Sequence, residues 1–304
     1  NPQNKVALIA GPTASGKTAL ALHLAKSGNF IIINADSAQV YSDLPILSAQ
    51  PTAEEQRSVP HHLFGYLDGI TPCSAARWAA DARGVIAHAH ATGKTPILVG
   101  GSGLYIRTLL DGIAPIPEVT LELRTEIRAM PVEQAYAALQ HYDAPVAASL
   151  APTDISRITR ALEVVQSTGR SISEWRKAKT GGVGDSITLR PLLLLPPRDW
   201  LYKRCDVRFE IMIERGAVAE VAALLARNLP HDAPVMRAIG VSEISAYLNG
   251  NLQHDEAIAR GKIATRQYAK RQFTWFRNQA PIAWPRIELE INDSNSDNFE
   301  TMFQ

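Results

Sequence analysis

The segment Gly11-Pro12-Thr13-Ala14-Ser15-Gly16-Lys17-Thr18 constrains the fold of this chain more than any other. It fits G-x-x-x-x-G-K-[ST], and its surroundings fit too. The apolar run Lys5-Val6-Ala7-Leu8-Ile9-Ala10 precedes it, and Ala19 to Ala25 follows with helical spacing. A strand, a glycine turn and a helix are what such a loop needs. The glycines let successive backbone N–H groups point inward, and the helix N-terminus adds partial positive charge. Lys17 supplies a point charge for phosphate oxygens, and Thr18 a hydroxyl for a divalent cation. Any di- or triphosphate would suit this loop.

Three more short apolar runs follow: Phe30-Ile31-Ile32-Ile33, Pro96-Ile97-Leu98-Val99 and Leu192-Leu193-Leu194-Leu195. Continuous runs separated by helical segments predict parallel strands buried on both faces, hence an α/β class with a P-loop NTPase-like core. The interval between the last two runs changes character. Pro115 and Pro117 open it, Gly181-Gly182-Val183-Gly184 closes it, and helical patterns cover Leu121 to Met130, Glu133 to Gln140 and Ile155 to Gln166. We expect an all-helical domain at 115–186 inserted into a core of 1–114 and 187–304, with C-terminal helices completing the core. A length of 304 residues is comfortable for two domains, at roughly 100–200 residues each.

Hydrophobic residues at 46% and charged residues at 20% exclude a disordered chain or a coiled coil. Cys73 and Cys205 belong to no C-x-x-C pair, which predicts a reducing compartment without structural zinc. No apolar stretch reaches the roughly 18 residues of a membrane helix, and no signal-peptide pattern opens the sequence, so the expected location is the cytoplasm. A start at Asn1 suggests that a few preceding residues are missing. Nothing calls for an assembly, and a monomer is expected. The net charge of +1, from 31 Lys plus Arg against 30 Asp plus Glu, hides an uneven distribution. From Ala257 to Ile287 there is no acidic residue. The stretch holds Arg260, Lys262, Arg266, Lys270, Arg271, Arg277 and Arg286, with Tyr268, Phe273, Trp275 and Phe276 interleaved. Such a pattern suits nucleic acid, or else an amphipathic helix with its aromatics in the core. The acidic residues Glu288, Glu290, Asp293, Asp297 and Glu300 then restore the balance.

Asp36 opens Asp36-Ser37-Ala38-Gln39-Val40-Tyr41 at the carboxyl end of the second strand, where open α/β sheets bind ligands. Its plausible roles are general base, magnesium ligand or helix cap. Gly100-Gly101-Ser102-Gly103-Leu104-Tyr105 repeats the strand-then-glycine pattern as a substrate contact or a tight turn. Pro60-His61-His62-Leu63 lacks partners at metal-ligand spacing. Arg157 and Arg160 share a helix face, and Arg208 lies in Cys205-Asp206-Val207-Arg208-Phe209. Each reads either as an ion-pair partner or as a ligand contact.

Assembled, these segments closely resemble the tRNA dimethylallyltransferase (tRNA isopentenyltransferase) family. The resemblance rests on Gly-Pro-Thr-Ala-Ser-Gly-Lys-Thr at 11–18, Asn-Ala-Asp-Ser-Ala-Gln-Val-Tyr at 34–41, Pro-His-His-Leu at 60–63 and Gly-Gly-Ser-Gly-Leu-Tyr at 100–105. Arg-x-x-Arg-Ala-Leu-Glu-Val at 157–164 and Tyr-Ala-Lys-Arg-Gln-Phe-Thr-Trp-Phe-Arg at 268–277 complete it. It implies transfer of a dimethylallyl group from its diphosphate to the exocyclic amine of the adenosine just 3′ of the anticodon. By the same resemblance Gly11, Thr13, Ala14, Ser15, Gly16, Lys17 and Thr18 hold the diphosphate, with Mg²⁺ bound through Thr18. Asp36 is the base, Arg208 stabilises the leaving group, and Ser102, where the family usually has threonine, orients the base or the amine. The partner is the tRNA anticodon stem-loop. Its implied contacts are Asp36, Ser37, Gln39, Arg157, Arg160, Arg237, Gly240, Lys270, Arg271, Gln272, Trp275 and Arg277, with Gln39 reading the flipped base.

The chain departs from the family pattern in places. Leu47-Ser48-Ala49-Gln50-Pro51 stands where Gly-Thr-Ala-Lys-Pro is usual. Val241 and Ser242 replace an aromatic and a basic residue, and Gln267 replaces an arginine. These replacements are expected at edges facing RNA. The alternative reading is a P-loop kinase of a nucleoside or other small molecule, which leaves the basic aromatic stretch without a role.

Overall fold

In the computed structural model, described over residues 4–26 and 28–290, the apolar runs are strands of one parallel sheet. Strand β1 is Lys5–Ala10, β2 Phe30–Asn34, β3 His61–His62, β4 Thr95–Gly100, β5 Thr188–Leu194 and β6 Arg286–Ile287, in the order β3-β2-β4-β1-β5-β6. Ile9 of β1 lies level with Val99 on one side and Leu192 on the other. Side chains alternate between two apolar layers, as the period of two requires. Val6 and Leu8 pack with Ile31, Ile33 and Leu98, whereas Ala7 and Ile9 pack with Ile32, Ile97 and Leu20.

Helix α1 (Lys17–Ala25) covers the second layer through Leu20 and Leu24. Helix α2 (Ala53–Ser58) is short and closed by a capping box between Thr52 and Glu55. The first layer receives α3 (Ala75–Ala91) and α4 (Gly103–Asp111), with Trp78 stacked on Tyr105 at 5.0 Å between ring centres.

The chain divides into two compact units, one of residues up to Leu110 together with those from Val183 onward, the other Asp111–Gly182. The second unit holds α5 (Leu121–Ala129), α6 (Val132–Tyr142), α7 (Ala144–Ala148), α8 (Ile155–Thr168) and α9 (Ile172–Trp175). Thr120 and Asp154 cap α5 and α8, and Gly169 in left-handed conformation ends α8. Ile158, Ala161, Leu162 and Val165 recur at helical spacing and form a core of their own with Ile127 and Leu139. The unit's edges fall four residues before those expected at 115 and 186. Ile113 bridges Thr180 within this unit, while the Val183 N–H donates to Leu109 O in the other. The hinge prolines therefore lie inside the helical unit.

After β5 come α10 (Arg198–Glu214), α11 (Ala217–Ala226), α12 (Val241–Leu248) and α13 (His254–Gln279). Leu201, Cys205 and Phe209 of α10 and Phe273 and Phe276 of α13 enter the first layer. Of the acidic residues expected to balance the basic stretch, Asp293, Asp297 and Glu300 lie outside the described residues.

Candidate active site

The central strands β2, β4 and β1 are neighbours, and their carboxyl ends deliver three segments to one place. The end of β1 leads into the phosphate loop. Ala14 at φ 63° and Gly16 at φ 98° turn the chain into α1. Ser15 is fully buried, and its hydroxyl has no hydrogen-bond partner among the described residues. The Lys17 ammonium donates to Pro12 O at 2.6 Å. The side chain is half-buried. Desolvation pushes its pKa down to about 8, with Asp36 pulling it up and Arg208 adding to the fall. Among the described residues no group of three His, Cys, Asp or Glu could hold a metal alone. A cation at Thr18 must therefore draw most of its ligands from phosphate and water, as Mg²⁺ does in such loops, and the residues present fit that arrangement.

At the end of β2, buried Asn34 steers Asp36. Asn34 Oδ1 accepts from the Asp36 N–H at 2.8 Å, and Asn34 Nδ2 donates to Asp36 O at 3.0 Å and Leu63 O at 2.9 Å. An Asp36 carboxylate oxygen accepts from the Ala38 N–H at 3.0 Å. At the end of β4, Ser102 Oγ accepts from the Ser37 N–H at 2.8 Å and donates to Ser37 Oγ at 3.0 Å. The hydroxyl of Tyr268, on α13, lies near the same two serines. The Asp36 carboxylate, with burial second, pushes this phenol well above its usual pKa and keeps it neutral. Read from sequence, Tyr268 is one more aromatic in a basic stretch. Its four-residue spacing from Gln272 is the signal that both share the inward face of α13.

Two clefts meet at Lys17, Thr18 and Arg208. The first is lined by Asp36, Gln39 and Tyr268, with an apolar wall of Leu47, Phe209, Met212 and Ile239. The second lies on the other side of the phosphate loop, where Lys26, Lys203, Arg204 and Arg215 accompany Trp200. Arg204 Nε donates to Ala14 O at 3.0 Å, and its guanidinium lies 4.7 Å from the Trp200 ring centre. Burial works against the charge of Arg208 and Asp36 works for it.

The basic stretch is less free than it looks in sequence. Arg260 pairs with Glu256, Lys262 with Glu210, and Arg266 with both oxygens of Asp206 at 2.6 Å. Arg286 donates to four backbone carbonyls at the end of α13. Arg266, Lys270, Phe273 and Arg277 share a helix face by spacing, but Phe273 enters the core, so that face is not one solvent-facing stripe. Lys270, Arg271 and Arg277 are exposed, and among the described residues no ion pair engages them. Arg237 is exposed and donates to Asp232 O at 3.2 Å. Trp275 is half-buried, with Arg107 5.1 Å from its ring centre, and a Cβ on Gly103 would lie 2.1 Å from its ring.

Several residues expected at an RNA contact are turned inward. Gln272 is buried against the phosphate loop. Gly240 is buried as the N-cap of α12 at φ 92°, where a Cβ would press on Leu47 at 2.9 Å. Val241 is also buried, and Gln50 donates to Tyr41 O and Ser48 Oγ, whereas Ser242 and Gln267 are exposed. Both amide hydrogens of Gln39 go to Ser48 O and Ala49 O, at 2.9 and 2.8 Å, leaving its oxygen to act in the cleft. In the helical unit Arg157 pairs with Asp154 at 3.3 Å and keeps 75% of its side chain exposed. Arg160 joins Arg128 on buried Glu163, at 3.3 and 2.8 Å.

Known proteins match this arrangement over nearly its whole length. The model of the IPP transferase family matches residues 39–279. A tRNA dimethylallyltransferase of Sphingopyxis alaskensis is 60% identical over 294 residues, covering 95% of this chain and 96% of that protein. One from Zymomonas mobilis is 52% identical, with 98% and 95% covered. The crystal structure of the full-length tRNA isopentenylpyrophosphate transferase of Bacillus halodurans superposes with a TM-score of 0.70 at 33% identity, covering 98% of this chain and 95% of that one. A eukaryotic dimethylallyltransferase captured acting on tRNA gives a TM-score of 0.79 at 31% identity, covering 90% of this chain and 70% of that one. Matches of this identity over nearly the whole chain show that it belongs to the tRNA dimethylallyltransferase family.

Proposed function

We propose that the chain transfers a dimethylallyl group from dimethylallyl diphosphate to the exocyclic amine of the adenosine 3′ of the anticodon in tRNA. The observation that carries this reading is the meeting of two clefts at Lys17, Thr18 and Arg208, with Asp36 lining one and the loop residues Ala14, Ser15 and Gly16 lining the other. A donor seated on the phosphate loop and an acceptor entering beside Asp36 can then approach each other from opposite sides. That is the arrangement a displacement at carbon requires.

The amine nitrogen attacks the first carbon of the dimethylallyl group, and the bond from that carbon to the diphosphate oxygen breaks. An adenine amine is a weak nucleophile and must lose a proton as the bond forms. Asp36, fixed by Asn34 and the Ala38 N–H, accepts it. The Gln39 oxygen can accept the amine's second hydrogen. Ser102, tied to Ser37 and lying near Tyr268, holds the turn beside the base. The leaving diphosphate gathers negative charge, which Lys17, Arg208 and the loop N–H groups meet. Mg²⁺, held by Thr18 and the diphosphate oxygens, supplies further charge stabilisation when bound. Leu47, Phe209, Met212 and Ile239 give the hydrocarbon tail an apolar wall and exclude water.

Exposed Lys270, Arg271, Arg277 and Arg237 would meet RNA phosphates, and Arg157 and Arg160 would do so from the helical unit. Those contacts supply the free energy that takes the adenine out of its stack. Mass analysis of an anticodon stem-loop after incubation with dimethylallyl diphosphate and Mg²⁺ tests the reading. One dimethylallyl group on that adenosine, with ATP neither required nor consumed, is expected. An unmodified loop, or a phosphorylated small molecule when ATP is supplied, would contradict it.

A further inference from the structure

One side chain of α13 reaches the phosphate loop. Gln272 stands among cations in the sequence, yet it is only 6% exposed. Its Oε1 accepts from the Thr13 N–H at 2.7 Å, and its Nε2 donates to Gly101 O at 3.1 Å. A Cβ on Gly101 would lie 2.0 Å from Nε2, so the glycine is what lets the amide in. The Thr13 N–H is thereby engaged by protein, and the loop groups left for a ligand begin at Ala14.

We infer that Gln272 is a positioning residue of the diphosphate site. It fixes the entry of the phosphate loop against the turn that carries Ser102. It acts through the loop and does not touch the substrate. A primary amide is required because one group must accept from Thr13 and donate to Gly101 at once. Without it a buried N–H and a buried carbonyl lose their partners, and the loop moves to recover them. The inference rests on the reading of the loop as a diphosphate cradle. It departs from the RNA contact that the family resemblance implies for this position.

Full-length Gln272→Met and Gln272→Glu proteins test it, with inorganic pyrophosphate plus Mg²⁺ and an anticodon stem-loop as the two probes, and thermal unfolding alongside. Gln272→Met is expected to weaken pyrophosphate binding about tenfold and to leave stem-loop affinity within about twofold. The glutamate variant adds a readout that a packing role would not move. As a carboxylate the side chain can accept but not donate, and it faces Gly101 O. As a carboxylic acid it does both. Its pyrophosphate affinity relative to the unaltered protein should therefore recover as pH falls, and that of the methionine variant should not. Unchanged pyrophosphate binding by Gln272→Met overturns the inference. So does equal weakening of both probes with a ratio for Gln272→Glu that is flat in pH. If the unaltered protein does not bind pyrophosphate, the diphosphate reading falls with it, and that is visible before any variant is made.

Discussion

The cations of the phosphate-loop region and those of α13 differ in their surroundings more than in their number. Lys17 and Arg208 are half-buried in clefts beside Asp36, and burial works against both charges. Lys270, Arg271 and Arg277 stand in solvent without an ion pair among the described residues. The lesson concerns leverage. A cation in such a cleft feels a lowered effective dielectric, so one of them can hold a diphosphate, at a cost to folding. Exposed cations are screened by salt and act on RNA only as a group.

The largest effect is expected at the reacting centre between these regions. Asp36→Ala should slow transfer by about a hundred- to ten-thousand-fold in single-turnover measurements. Stem-loop and pyrophosphate affinities should stay within a fewfold, and comparable losses in binding would mean that the carboxylate serves binding instead. Next comes Lys17. Lys17→Met should remove pyrophosphate binding and, at pH 7, stabilise the protein in urea unfolding by about 1–2 kcal/mol. That is less than the whole shift would give, since part of the side chain meets solvent.

The pH dependence of the unaltered protein follows from the same lysine. Its folded pKa, about 8, is below the ordinary 10.5. Its charge therefore opposes folding below about 8, and the penalty is relieved as pH rises from 8 towards 10.5. Pyrophosphate affinity should fall as pH rises above about 8, as calorimetry across that range would show. A smaller effect is expected on the exposed side. Lys270→Ala/Arg271→Ala should weaken stem-loop binding several-fold and lower the slope of log affinity against log salt by about one to two. Smallest of all, Arg157→Ala should leave thermal stability within about 0.5 kcal/mol, because the Arg157 side chain is 75% exposed and pairs only with Asp154.

Legibility in the sequence followed the range of the interactions. Strands β1, β2, β4 and β5 are apolar runs that announce burial on both faces, and the helices of the second unit carry their own period and caps. Strands β3 and β6 are two residues long and exist only because β2 and β5 offer edges to pair with. The phosphate loop was legible because its function lies in local backbone geometry. The basic stretch was only half legible, because what takes two of its cations is distant in sequence: Asp206 for Arg266 and Glu210 for Lys262. The inward setting of Gln272 and Tyr268 was not legible for the same reason. A helix face shows which residues travel together, but only the packed core shows that this face looks at Gly101, Thr13 and Ser102.

The division of labour between cleft and exposed cations is tested most directly by a paired binding measurement, pyrophosphate with Mg²⁺ and the anticodon stem-loop, on two variants across a salt series. Lys17→Met should lose pyrophosphate and keep the stem-loop with an unchanged salt slope. Lys270→Ala/Arg271→Ala should keep pyrophosphate and lose stem-loop affinity together with part of its slope. If either variant loses both ligands to a similar degree while remaining folded, the two sets of cations form one site and the account is wrong.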